Sequence, residues 1–377
     1  MTSQHDNGAI VLPHPDLEGI AFEVGFDNSN PRNGNDMTID EKGVLIVNQN
    51  FEQGAPKGYS FHLNIALLNT SEIPRRTQIR INWQEPKVYD YCRDYMYIGY
   101  DSGLEWRMLA IRCNDGVTDT EIIIPPGRHL LSCTPKFDTN DYLALLDQYA
   151  GLEPFQRVDA AVSAEGRPIS CLRCGNPEGE TCIITTRAHG YETAGAYCML
   201  GLFEELSSEP ANFAKILDRL NLFFFPMINV DAVAHGRCCL APSGVDFGNE
   251  LAISADRDRG ARELREFILA RKPFFYMDMH NYSGPHVSDS FSITDADLFE
   301  RFTTTAPDHS KQQKVWNTGI TGGFKEGYLF SLCGKRYGTI TGLTEFPWYT
   351  RTVPEMKMHG REFFKAIFTI LTKLRTA

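Results

Sequence analysis

Residues 180–206 read ETCIITTRAHGYETAGAYCMLGLFEEL. The first part, Glu180–Arg187, is an apolar run rich in β-branched residues and reads as a strand. It breaks into a short polar turn carrying His189 and Glu192. Ala194–Leu206 then shows helical periodicity. Strand, polar turn and helix in succession form one α/β unit. The same grammar recurs on either side. Leu222–Ile228 (LFFFPMI), Phe274–Met279 and Gly338–Thr344 read as further strands. Asp141–Tyr149, Arg259–Ala270 and Gly360–Leu374 read as helices, the last two amphipathic. Strands alternating with helices predict an α/β domain over residues 135–377, with a mixed, mostly parallel sheet flanked by helices.

Upstream the texture differs. Ala21–Phe26, Gly43–Asn48, Tyr59–Leu68, Thr77–Trp83, Tyr95–Tyr100, Glu105–Cys113 and Thr120–Ile124 are short runs of aromatic and β-branched residues. Asn, Gly and Pro clusters separate them. Few helical stretches intervene, so residues 1–134 are expected to form an antiparallel β-sandwich domain of their own.

Composition narrows the function. The net charge of −11 argues against sequence-independent nucleic-acid binding, which rests on neutralising phosphates with Lys and Arg. No apolar run is long enough to span a bilayer. The opening residues MTSQHDNGAI have neither a basic n-region nor an apolar h-region. The ten cysteines are scattered, mostly among apolar neighbours, in a chain too long to need disulfide staples. A cytoplasmic protein with reduced thiols is the expectation, with neither nucleic acid nor membrane as a partner. Cys171 and Cys174 have no second pair at zinc-ribbon spacing, so they read as structural. Phe223–Phe225 and Phe274–Tyr276 read as buried strands rather than binding aromatics.

Reactive groups in open α/β sheets sit just past the carboxyl ends of strands. Three strand ends here carry unusual polar residues. One runs into His189 and Glu192, a second into His280-Asn281-Tyr282-Ser283, and a third into Glu345-Phe346-Pro347. Two histidines and two glutamates make the set a zinc hydrolase needs: three N/O ligands, an open position, and a carboxylate base. In His189-x-x-Glu192 the two ligands lie one turn apart and can reach one ion. His280 comes from another strand, so the three converge.

These residues resemble the zinc metallocarboxypeptidase superfamily, closest to its cytosolic carboxypeptidase-like branch, which carries a β-rich domain ahead of the catalytic one. Four pieces match in order. They are Arg187–Thr193, Pro226–Val233 followed by Gly236-Arg237-Cys238, Met279–Ser283, and Thr344-Glu345. The resemblance runs from about Thr134 to the C-terminus. It implies one Zn²⁺ per chain held by His189, Glu192 and His280. It implies Glu345 as general base and Arg237 as the group that polarises the scissile carbonyl. Asn249, Arg237 and Tyr282 are the implied substrate contacts, with a peptide or small amide as substrate.

The match has a gap. Where the family carries Asp-Leu-Asn-Arg, this chain has Asp246-Phe247-Gly248-Asn249-Glu250. Aligned without gaps, Gly248 and Asn249 replace the Asn-Arg pair. With one insertion, Asn249 keeps the Asn and Glu250 replaces the Arg. The arginine that clamps a terminal carboxylate is missing either way, and an amide does not reproduce a bidentate guanidinium. The family's mobile tyrosine has only Thr318 and Tyr328 as candidates. Three functions follow as expectations: a zinc-dependent metallopeptidase, a zinc-dependent deacylase or amidase acting on a small N-acyl or amidated compound, and a catalytically inactive binding protein on the same scaffold.

Overall fold

A computed structural model describes residues 3–4, 9–55, 61–84, 94–100, 105–305 and 324–374. The chain divides into two compact units. One comprises Met1–Thr139 with Ala232–Leu240 and Ser283–Pro285. The other comprises Asn140–Asp231, Ala241–Tyr282 and His286–Ala377.

The first unit is built from β1 (Ser3–Gln4), β2 (Ile10–Pro13), β3 (Ile20–Val24), β4 (Met37–Ile39), β5 (Leu45–Asn48) and β6 (Asn64–Asn69). It continues with β7 (Arg75–Asn82), β8 (Tyr95–Tyr100), β9 (Trp106–Ala110), β10 (Cys113–Asn114), β11 (Val117–Ile124) and β12 (Gly127–Ser132). One sheet has the order β1-β2-β3-β6-β12-β8-β9 and is antiparallel throughout. The other runs β10-β11-β7-β5-β4 and contains one parallel pair, β5 with β7. Strand β7 shows why the sequence pattern works. Thr77, Ile79 and Ile81 are buried, while Arg76, Gln78 and Arg80 between them face solvent.

The second unit contains α1 (Thr139–Ala150) from Asn140 onward, β13 (Gln156–Val162), β14 (Pro168–Gly175), β15 (Glu180–Thr186), α2 (Ala194–Ser208), α3 (Ala214–Arg219), β16 (Leu220–Phe225) and the first two residues of α4 (Val230–Ala234), whose remainder belongs to the first unit. Then come α5 (Arg259–Ala270), β17 (Phe275–His280), β18 (Ser290–Ile293), α6 (Ala296–Thr305), α7 (Leu329–Tyr337), β19 (Ile340–Glu345) and α8 (Val353–Leu371). Its sheet has the order β13-β14-β16-β15-β17-β19-β18. The four central strands are parallel, and the margins on both sides are antiparallel. Strand β16 is buried along its whole length, as a central strand covered on both faces must be. Cys171 and Cys174 are buried free thiols within β14, in keeping with a structural reading.

Helix α8 begins seven residues earlier than its apolar stripe suggests. A capping box fixes the start: Thr352 Oγ1 accepts from the Glu355 amide, and the Glu355 side chain accepts from the Thr352 amide. Helix α2, which leaves the polar turn, packs on α8 at glycine contact. A Cβ on Gly201 would lie 2.0 Å from the Lys357 carbonyl oxygen, and one on Gly360 2.2 Å from Cys198 Cα. Two glycines thus let the backbones meet and anchor the helix that follows His189 and Glu192.

Candidate metal centre

Strand β15 ends at Thr186, and Arg187 turns the chain with a left-handed φ of 60°. Its guanidinium is fully buried and donates to the Gly190 carbonyl. Asn229 spans the same turn, donating its amide to the Ala188 carbonyl at 3.0 Å. His189 and Glu192 are thereby aimed together. On the neighbouring strand ends, β17 and β19 pair in register so that His280 lies opposite Glu345. Each is the last residue of its strand, so both strands run one residue further than the sequence suggests.

The three groups converge. His189 Nδ1 lies 2.9 Å from Glu192 Oε1, and His280 Nδ1 lies 2.9 Å from Glu192 Oε2. One donor atom from each of the three residues falls within 4.8 Å of the others, and all three side chains are buried. The outward nitrogens are also held. His189 Nε2 faces Asp246 Oδ1 at 3.3 Å, and His280 Nε2 faces Asp278 Oδ2 at 3.1 Å. A carboxylate on Nε2 fixes the tautomer that leaves the Nδ1 lone pair pointing inward, the usual support for a metal-ligating imidazole. Two imidazole nitrogens and a carboxylate, with both rings so oriented, fit a zinc ion with an open position.

The electrostatics follow from this crowding. Burial by itself would lower both histidine pKa values, but Glu192 with Asp246, and Glu192 with Asp278, outweigh it and raise them well above the ordinary range. Burial likewise works to raise Glu192, and His280 and His189 hold it below the usual carboxylate range. Glu345 is pushed the other way. Desolvation raises its pKa to about 8, with Glu192 and Asp278 adding to the shift and the two histidines opposing it.

Asp246, absent from the sequence-derived set, is pinned by its own loop. Oδ1 accepts from the Gly248 and Asn249 amides at 2.9 and 2.8 Å, and Oδ2 from Asn249 Nδ2 at 2.9 Å. Gly248 has no room for a side chain: a Cβ there would lie 2.7 Å from His189 Nε2. Asn249 thus donates both its backbone and its side-chain amide to Asp246, and Gly248 leaves the space that the His189 ring occupies. Tyr282 stacks on His286 with ring centroids 4.1 Å apart, and its pKa is raised by burial, with Glu345 and Asp289 contributing. Tyr328 precedes α7 and is raised by burial, with Asp278, Asp246 and Glu345 adding. Thr318 lies outside the described residues.

Arg237 belongs to the first unit, in the segment Ala232–Leu240. That segment is tied down there by Glu52, whose carboxylate accepts from the Cys238, Cys239 and Leu240 amides. Asn30 Nδ2 donates to the Gly236 carbonyl at 3.0 Å. Cys238 and Cys239 are buried free thiols.

Two of the missed groups left a trace in the sequence. Asp278 interrupts the buried run Phe275–Met279 and is two residues before His280, hence on the same strand face. Asp246 lies within the segment already singled out, but only the folded loop brings it to His189.

Comparison with known proteins agrees with this geometry. Residues 142–238 match the zinc carboxypeptidase family model. No curated protein matches the chain. Among solved structures, it resembles the metallo-carboxypeptidase from Burkholderia cenocepacia at 15% identity and a TM-score of 0.78, covering 94% of this chain and 99% of that one. It also resembles the metallo-carboxypeptidase from Pseudomonas aeruginosa in complex with (2-guanidinoethylmercapto)succinic acid, at 14% identity and a TM-score of 0.74, covering 94% and 100%. No helix among the described residues is long and apolar enough to cross a membrane. The turn that carries His189 and Glu192 lies inside the segment that matches the zinc carboxypeptidase family model, and the likeness to the solved metallo-carboxypeptidases extends to the fold.

Proposed function

We propose that this chain is a zinc-dependent metallopeptidase that hydrolyses an amide bond. The observation that carries the reading is the convergence of His189 Nδ1, His280 Nδ1 and the Glu192 carboxylate, with each outward Nε2 held by its own carboxylate. His189, Glu192 and His280 would hold the ion. When bound, zinc supplies Lewis acidity, polarising a carbonyl and easing deprotonation of water.

The remaining work falls to the chain. Glu345 sits beside His280 in register and is not among the three converging donors. It takes the proton from the attacking water at its carboxylate and passes it to the leaving nitrogen. A carboxyl raised toward neutral pH suits that two-way role, because proton transfer in either direction is then nearly balanced. Arg237 is assigned to the developing oxyanion on its motif, and Tyr282 and Asn249 to the substrate side of the cleft.

A second reading is favoured by the loop at Asp246–Asn249. Neither position that could replace the clamp arginine is a cation: Asn249 donates its side-chain amide to Asp246, and Glu250 is a carboxylate. A deacylase or amidase acting on a small N-acyl or amidated compound needs no such clamp. Zinc content by elemental analysis, with hydrolysis of matched peptide acids and C-terminal amides, tests both readings. Absence of stoichiometric zinc after reconstitution, or undiminished turnover in Glu345→Gln, would sink the first. Strict preference for the free acid would sink the second.

A further inference from the structure

Strand β17 presents Tyr276, Asp278 and His280 at alternate positions, hence on one face. Asp278 is buried on a strand whose every residue is buried, a costly place for a carboxylate unless both oxygens are satisfied. They are. Thr185, its register partner on β15, donates its hydroxyl to Oδ1 at 2.7 Å, and Oδ2 faces His280 Nε2 at 3.1 Å. The arrangement runs from Thr185 through Asp278 to His280, built wholly from two adjacent parallel strands.

We infer that Asp278, oriented by Thr185, is the positioning residue for His280, fixing its Nε2–H tautomer and its basicity toward a metal at Nδ1. The inference rests on the metal-site reading above. Its chemistry is direct. A carboxylate accepting from Nε2–H enriches electron density at Nδ1 and stops ring rotation, which raises ligand affinity. Thr185 stops the carboxylate itself from rotating. Neither residue needs to touch substrate.

The test uses the full-length, chelator-stripped protein. Zn²⁺ affinity is read by competition with a chromophoric chelator, and ligand geometry by the visible d–d absorption of the Co²⁺-loaded protein. Asp278→Ala is expected to lower Zn²⁺ affinity ~10–100-fold and to alter the Co²⁺ spectrum. Asp278→Asn keeps an acceptor for Nε2–H but not its charge and should fall between wild type and Asp278→Ala. Thr185→Val should show a smaller loss in the same direction, with Thr185→Ser restoring it; this pair carries the test should Asp278→Ala misfold. Affinities within twofold of wild type in all four, with unchanged Co²⁺ spectra, would overturn the proposal. His280→Ala separates the two levels. Loss of metal in His280→Ala with retention in Asp278→Ala removes this inference alone, whereas no metal affinity in wild type removes the metal site and the inference together.

Discussion

The two histidines of the candidate centre are supported in the same chemical way by two different kinds of structure. His280 is held from within the sheet. Its carboxylate, Asp278, stands two residues earlier on the same strand, and the partner of that carboxylate is the neighbour in register. His189 is held from a loop. Its carboxylate, Asp246, is 57 residues distant and owes its position to three hydrogen bonds from Gly248 and Asn249. Strand geometry fixes spacing through backbone pairing, so the His280 side needs only the right residue at the right alternate position. The loop side needs several residues to agree at once, including one that has no side chain.

This contrast can be broken in graded ways. The largest effect is expected on the strand side, from Glu345→Gln. Turnover should fall ~10²–10⁴-fold while zinc content stays at the wild-type level, because Glu345 is not one of the converging donors. Steady-state kinetics with parallel metal analysis checks this, and retained turnover would remove Glu345 from the chemistry. Next comes Asp246→Ala on the loop side. Loss of the Nε2 partner should weaken zinc binding by roughly 10–100-fold. Unlike Asp278→Ala, it should also raise KM, since the Gly248 and Asn249 amides lose their acceptor. An unchanged KM in Asp246→Ala would erase the distinction between the two sides.

Gly248→Ala probes the loop by steric means. A methyl group 2.7 Å from His189 Nε2 forces ring or loop to shift, at an expected cost of about 1–3 kcal/mol in thermal or denaturant stability. A fully neutral Gly248→Ala would mean that the loop gives way freely. The subtlest effect is protonic. In the metal-free protein Glu345 titrates at about 8 and both histidines are raised, so at neutral pH all three are largely protonated. Metal ligation needs neutral imidazoles, so zinc binding near pH 7 should release protons, and fewer as the pH is raised. Apparent affinity should therefore climb with pH. Calorimetry in buffers of different ionisation enthalpy measures the release, and none near pH 7 would contradict these shifts.

Much of the C-terminal α/β unit was legible because its signals are local. A β-branched run ending in Arg187-Ala188-His189 reports both a strand and where it stops. The amphipathic stripe at Arg259–Ala270 matches helix α5 end to end. Signals shared between distant residues were not legible. The antiparallel margin strands β14 and β18 are paired by their neighbours rather than by pattern. The start of α8 depends on a cap eight residues ahead of its stripe.

What the sequence determined alone was a set of chemistries at strand ends: His189 and Glu192 one turn apart, His280 and Glu345 at the ends of two further apolar runs. Hydrophobic patterning sufficed, because burying those runs leaves their polar termini at one edge of the sheet. What only the tertiary structure decided was the support. Strand register brought Thr185 to Asp278, and loop closure brought Asp246 to His189 with Gly248 against the ring. Such pairings depend on which segments become neighbours in space, and no local periodicity encodes that.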